Sequence, residues 1–295
     1  MSRSGGVAGG AATASKPTGV IAARSPGESP RLVGWLPRRS RNFLGSAGDM
    51  LALAGHTVRS TLVPPYSYGT LFLQQATFLL KHCWLPLLIS TVVFGFGAPG
   101  LQGGNFLSLF GSLDRLGGVF VIASIREFAP FVTAVVLAGV GGSAIVADLG
   151  ARKIREELDA LQVMGVDPVK NLVVPRFLAL IVMTALFDVF ALILGIVGGV
   201  LATLVLHGSL SSFLSTLISN STAIELAASL VKTAGFGAII AIVSCYMGMT
   251  AAGGAEGVGR AVNRAVVIEL LLIFSFNSVF TQLLLSTHPE LSVLK

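Results

Sequence analysis

Residues 148–176 read DLGARKIREELDALQVMGVDPVKNLVVPR, a dense run of charge between two long apolar stretches. Each flanking stretch is long enough to cross a bilayer, so the charged run has to stand in water at one membrane face. Within it, Ile154, Leu158, Leu161 and Val163 or Met164 recur at helical spacing, and Gly165 followed by Asp167-Pro168 supplies a stop. The spacing predicts a short amphipathic helix over about 154–166. Asp148, Glu156, Glu157, Asp159 and Asp167 stand among a nearly equal number of cations, Arg155 included. A charge-balanced helix with an apolar stripe suits docking into a groove on another protein.

The composition sets the class. Of 295 residues, 53% are hydrophobic and 12% charged, where a soluble domain has about 25% charged residues. Mean hydropathy is +0.83. This describes an integral membrane protein, and its 35 glycines suit helices that pack closely in lipid. The formal charge of +6 does not point to nucleic acid, because the cations cluster at the N-terminus and in one loop with apolar runs between. Cys83 and Cys245 lie far apart without metal-ligand spacing and read as free thiols.

Residues 1–41, rich in Gly, Ala, Ser, Pro and Arg, read as a disordered basic tail. Over 42–83 the pattern is interfacial: Leu44, Ala47, Leu51, Ala54, Val58 and Leu62 recur at helical spacing, broken by Asp49, His56 and Arg59. Pro64-Pro65 ends that helix, and YGTLFLQQATFLLKH forms a second one. The remainder, 84–295, holds five spans at about 84–103, 117–147, 176–206, 227–250 and 266–287, each reaching the ~20 residues a bilayer core requires. Pro86, Pro99 and several glycines interrupt the first, which leaves a broken or re-entrant form open. The expected fold is therefore an all-α integral membrane protein: an N-terminal interfacial amphipathic helix, then five transmembrane helices, with a charged helix between the second and third.

Orientation follows from Lys and Arg. Before the first span stand Arg3, Lys16, Arg24, Arg31, Arg38, Arg39, Arg41, Arg59 and Lys81. Arg152, Lys153, Arg155, Lys170 and Arg176 follow the second span, and Arg260 and Arg264 the fourth. The opposite face has Arg115 and Lys295. The positive-inside rule then predicts a cytoplasmic N-terminus and charged helix, and an external C-terminus.

No G-x-x-x-x-G-K-[ST] phosphate loop, G-x-S-x-G elbow or H-E-x-x-H is present, which argues against an enzyme with its own nucleotide or hydrolytic site. Charges inside the spans are the informative residues: Arg126 and Glu127 in the second, Asp188 in the third, Lys232 in the fourth and Glu269 in the fifth. A charge at mid-bilayer costs about 2.5–3.5 kcal/mol on insertion scales, so each needs a partner or a cavity. Two readings stand side by side. Arg126 and Glu127 either satisfy neighbouring helices, with Lys232 snorkelling to the interface, or line an outward-opening cavity that meets a lipid's polar head. Gly139, Gly142, Gly195 and Gly199 mark candidate packing faces, the last pair as G-x-x-x-G.

Two blocks carry a family resemblance: IREFAPFVTAVVLAGVGGSAIVADLGARKIREELDALQVMGVDPVKNLVVPRFLA from Ile125, and KTAGFGAIIAIVSCYMGMTAAGGAEGVGRAVNRAVVIE from Lys232. They resemble the MlaE/YrbE permeases of ABC transporters that move lipids with Mce proteins, over roughly residues 42–287, and the wording is closest to the actinobacterial YrbE branch. The resemblance implies a permease subunit in the inner (plasma) membrane without its own ATPase site and with no cofactor of its own, ATP and Mg being held by a partner ATPase. It also implies a second YrbE-type permease, a heterodimer in this branch, Mce lipid-carrying proteins, and import of sterols, fatty acids or phospholipids. By the same resemblance the helix at 154–166 becomes the ATPase-coupling element, extending through Asp167 and Pro168, and Arg126 and Glu127 fall in the lipid pocket. Asp188 and Lys232 are the other intramembrane candidates for that pocket. One departure stands out: where many members read A-G-R-x-G-S-A, this chain has Val140 in place of the Arg. A secondary transporter, or a non-transporting anchor for Mce proteins, is the alternative, although five spans do not divide into two equal repeats.

Overall fold

The computed structural model describes residues 38–63 and 68–289. The chain divides into two compact units, Met1–Gly48 and Asp49–Lys295, and the contacts given below lie within the second. Residues 1–37, most of the segment read as a basic tail, lie outside the described residues, and α1 (Arg38–Leu62) begins inside that segment. In α1, Leu53 and Thr57 are buried one turn apart, while Leu51, Val58 and Leu62 are exposed. That division is the pattern of a helix lying along a boundary between apolar and polar surroundings.

Among the described residues, five helical segments are long and apolar enough to cross a bilayer: Gly69–Ser108, Leu113–Ile154, Val169–Val205, Ala223–Met249 and Gly254–Thr287. The first is longer than its apolar run suggests. Gln74, Gln75, Lys81 and His82 dilute the hydropathy without breaking a helix, so α2 runs unbroken from Gly69 to Gly95 with Pro86 inside it. The stretch expected as a separate interfacial helix is thus the beginning of this segment. Pro99 is absorbed by a wide π turn, Phe96–Gln102, before α3 (Gly103–Ser108).

The second segment alternates in the same way. It passes from α4 (Leu116–Phe120) through a π turn at Val121–Phe128 to α5 (Ala129–Val136), then through a second at Leu137–Gly142 to α6 (Ser143–Ile154). α7 (Glu157–Val163) is the charged turn's helix, and a π turn at Val169–Val173 leads into α8 (Val174–Val205). The link between third and fourth segments contains α9 (Leu210–Asn220), capped by Ser209, which accepts from the Ser212 N–H at 3.4 Å. Phe213 and Leu217 bury one face of α9, and Phe213 meets Phe120 edge-on with centroids 5.6 Å apart. α10 (Ala223–Met249) and α11 (Gly254–Thr287) complete the chain.

α8 packs along both α2 and α10, and α10 along α6 and α11. The α2–α8 seam is a close backbone approach: a Cβ at Gly198 would lie 2.5 Å from the Val92 carbonyl and 2.6 Å from the Phe96 nitrogen. Gly195 backs onto Gly95, and a Cβ at Gly199 would strike Phe120 at 2.6 Å. Gly139 is different, being exposed with nothing within 4 Å of a Cβ, so the packing expected there is not made within this chain. Phe187, Leu180, Phe236 and Ile240 fill the interior, while Val182, Leu186, Phe190, Ile193 and Val197 on α8 face outward. A helix apolar on both its inner and outer faces fits lipid, not water, as its surroundings.

Candidate functional site

Three of the five intramembrane charges, Arg126, Glu127 and Lys232, gather in one place. Arg126 sits in the π turn Val121–Phe128, an irregularity of the kind that recurs at functional sites. Its Nη2 donates to Glu225 Oε1 at 2.5 Å, and both side chains are buried. Glu225 is set at the start of α10 by Thr222, whose hydroxyl accepts from the Glu225 N–H at 3.2 Å and donates to Glu225 Oε2 at 3.4 Å. Lys232 stands about 10 Å further along α10 than Glu225, at roughly 1.5 Å per residue. It is 1% exposed. Its three ammonium protons have three acceptors, the Arg126 carbonyl at 2.7 Å, Thr281 Oγ1 at 3.0 Å and Asn277 Oδ1 at 3.1 Å. Glu127 closes the cluster: Oε1 accepts from Thr281 at 2.8 Å, Oε2 from Asn277 at 2.7 Å, and Lys232 lies 3.5 Å away.

Arg126 is turned into the protein against Glu225, and Lys232 is saturated and buried; it does not snorkel. Glu127, whose side chain is 34% exposed, is the accessible edge of the cluster. Glu225, Asn277 and Thr281 were not singled out in the sequence. Glu225 looks like an ordinary capping residue three positions after Thr222. Asn277 and Thr281 did leave a signal, two polar residues four apart on one face of an otherwise apolar helix.

Asp188 lies outside the ion-paired group. It is fully buried at the middle of α8, with Oδ2 accepting from Ser229 at 2.6 Å and no partner for Oδ1. Glu269 on α11 repeats the pattern: fully buried, Oε1 accepting from Ser244 at 2.5 Å, Oε2 without a partner. Gly142 belongs to this second pair, since a Cβ there would lie 2.9 Å from both Glu269 Oε2 and Ser244 Oγ. A small cleft of about 10 Å³, lined by Thr91, Phe94, Gly95, Ser124, Phe128, Ala129, Val132, Ala191 and Gly195, opens between α2, α8 and the second segment beside the Arg126 turn.

The charged turn forms a second candidate site. The single helix expected over 154–166 is divided: α6 runs on to Ile154, Arg155 ends it, and Glu156 adopts a left-handed backbone (φ 59°) that starts α7 in a new direction. Gly165 (φ 76°) closes α7, with the Gly165 N–H on the Gln162 carbonyl at 3.0 Å and Val166 N–H on Leu161 at 2.9 Å. Asp167 then caps the next turn, accepting from the Val169 N–H at 2.9 Å, with Pro168 between them. Leu158 is buried and Leu161 partly so, while Val163 is 90% and Met164 68% exposed; Ile154 and Val166 are also exposed. Of the acidic residues expected to face a partner, Glu157 pairs with Arg155 at 2.7 Å and Asp159 with Lys153 at 2.9 Å. The turn therefore presents an apolar tip with a rim of internally paired charges.

Known proteins place this architecture. A probable ABC transporter permease of Rickettsia typhi is 32% identical over 243 residues, 82% of this chain and 93% of its own length. A probable ABC transporter permease of Synechocystis is 39% identical over 169 residues, 57% of this chain and 64% of its own. TRIGALACTOSYLDIACYLGLYCEROL 1 of the Arabidopsis thaliana chloroplast is 34% identical over 160 residues, 54% of this chain and 46% of its own. The family Permease MlaE matches residues 72–283, from within α2 nearly to the end of α11. The match spans nearly all of the five apolar helical segments and takes in the buried charge cluster and the charged turn, and the chain belongs to the MlaE permease family.

Proposed function

We propose that this multi-pass permease subunit of an ABC transporter moves a lipid, with the Arg126–Glu127–Lys232 cluster meeting its polar head and the α7 turn receiving the ATPase. ATP and magnesium belong to that ATPase subunit. The observation that carries the docking half is the exposed Val163–Met164 tip on a turn where Glu157 and Asp159 already pair with Arg155 and Lys153. Apolar surface of that kind is stable in water when a partner covers it. For the lipid half, Glu127 gives an otherwise sealed charge cluster one accessible acceptor among apolar spans. A group there can hydrogen-bond a headgroup's hydroxyl or ammonium while acyl or ring surface lies along the spans. The name of the Arabidopsis relative, a galactolipid, supports a lipid cargo.

In the same reading the N-terminus and the α7 turn are cytoplasmic and the C-terminus external. A second, non-identical permease completes the pore, Mce proteins carry the lipid outside, and transport runs inward. ATP-driven closure of the ATPases pushes on α7 and rocks the spans around the cluster.

The test is purification of the tagged chain from its native membrane in mild detergent, with co-purifying proteins and lipids identified by mass spectrometry. Wild type is expected to bring down an ATPase, a second permease, Mce proteins and a bound lipid. Val163→Asp/Met164→Asp is expected to insert normally and lose the ATPase. Recovery of the wild-type chain alone, under conditions that preserve other membrane complexes, overturns the reading.

A further inference from the structure

We infer that Arg176 is the positioning residue that joins the α7 turn to α8, so that a push on the turn reaches the third span as well as the second. The inference rests on the proposed docking of an ATPase at α7.

The backbone alone does not make this connection. α7 is two turns long, anchored chiefly by Leu158, and separated from α6 by the left-handed Glu156. Force on α7 would be absorbed at that joint unless side chains bridge it. They do, in a continuous series. Glu157, at the start of α7, lies 3.6 Å from Arg152 near the end of α6. Arg152 Nε reaches both oxygens of Asp148, at 3.2 and 3.3 Å, one turn back. Asp148 Oδ2 accepts from Arg176 Nη2 at 2.5 Å, and Arg176 is the second residue after the start of α8. The other arm of Arg176, Nη1, donates to the Leu172 carbonyl at 2.7 Å in the π turn that precedes α8.

The members of this series are unequal. Arg152, Asp148 and Glu157 are each more than a third exposed, so their mutual ion pairs are screened and individually weak. Arg176 is 4% exposed. A planar guanidinium with its two arms on different elements holds both in a fixed relation, which a lysine's single point charge does not. Arg176 thereby makes α6 and α8 one body at the end of the molecule that carries the turn. The far side of the turn is held too: His56 Nε2 lies 3.9 Å from Asp167, and Lys170 Nζ donates to the Val63 carbonyl at 3.1 Å.

The test uses the complete transporter with its ATPase bound, spin labels at Gln162→Cys on α7 and Val182→Cys on α8, and distances read by pulsed electron paramagnetic resonance. Both positions are exposed, and the native Cys83 and Cys245 are buried. Without nucleotide and with ATP plus vanadate, wild type is expected to keep one narrow distance. Arg176→Gln and Asp148→Asn are expected to keep that distance without nucleotide and to shift it with ATP plus vanadate by about 2 Å or more, the scale of helix shifts in switching proteins. The double variant shifts no further than either single one, because both remove the same link. If Arg176→Gln does not insert, Asp148→Asn, at a part-exposed carboxylate, decides alone. An unchanged distance in both nucleotide states overturns the inference, and so does a change already present without nucleotide, which would mean a merely structural role. Failure to recover any ATPase with wild type would instead sink the docking proposal.

Discussion

Lys232 shows how a chain tolerates a cation among apolar helices: three acceptors from two elements meet three protons, and a carboxylate stands 3.5 Å off. Arg126 and Glu225 solve the same problem as a sealed pair. Removing one partner of such a pair strands the other, which costs about 3–5 kcal/mol. Glu225→Gln is therefore expected to lower the melting temperature of the purified protein sharply, while Arg126→Gln/Glu225→Gln together recovers a large part of the loss. Additive losses in the double variant would contradict the pairing. Asp188 predicts the opposite behaviour. In Asp188→Asn the amide oxygen keeps the Ser229 proton, and the amide nitrogen replaces an oxygen that already has no partner. The expected cost is under about 1 kcal/mol, the net value of one ordinary hydrogen bond. A loss several times larger, read by the same melting experiment, would mean that the Asp188 charge itself is needed for stability.

At the scale of elements, glycines separate contacts made inside the chain from surfaces left for others. Gly198→Ala would push a methyl group onto the backbone of α2, which cannot turn away as a side chain can. Overpacking of this kind costs about 1–3 kcal/mol or more. Gly139→Ala meets nothing and adds helix propensity, so it should be neutral or stabilising by up to about 1 kcal/mol. Thermal melts of the two isolated variants check both. Should Gly139→Ala leave the isolated chain intact yet prevent assembly with a second permease, Gly139 lies in that interface.

Elements also show how far the sequence could be read. The spans and the turn are legible because lipid forces all backbone hydrogen bonds inside helices, so apolar length alone identifies them. Their boundaries are less so, since Gln74, Lys81 and His82 lower hydropathy without stopping a helix. The division between α6 and α7 left no trace, because Glu156 is a residue type that seldom adopts a left-handed backbone. α9 leaves a weak signal, since its many serines dilute an apolar face on which Phe213 and Leu217 stand one turn apart. Of the charge cluster, the residues dearest to bury were visible, Arg126, Glu127 and Lys232. Their neutral or capping partners, Asn277, Thr281 and Glu225, gain meaning only when the helices that carry them are brought together.

At the scale of the whole molecule, two polar centres occupy opposite parts of an otherwise apolar helical body. One is sealed except at Glu127; the other is an apolar tip held by paired charges. Membership in the MlaE permease family makes the chain the membrane subunit of an ABC transporter and leaves ATP hydrolysis to a separate subunit. On the proposed function, energy received at the turn changes what the Glu127 edge binds. The most direct measurement is native mass spectrometry of the complete complex purified with its endogenous lipid, after ATP or after a non-hydrolysable analogue. ATP should change the lipid occupancy of wild type and leave that of Val163→Asp/Met164→Asp unaltered. Equal occupancy of wild type with ATP and with the analogue, while ATP is being hydrolysed, would contradict it.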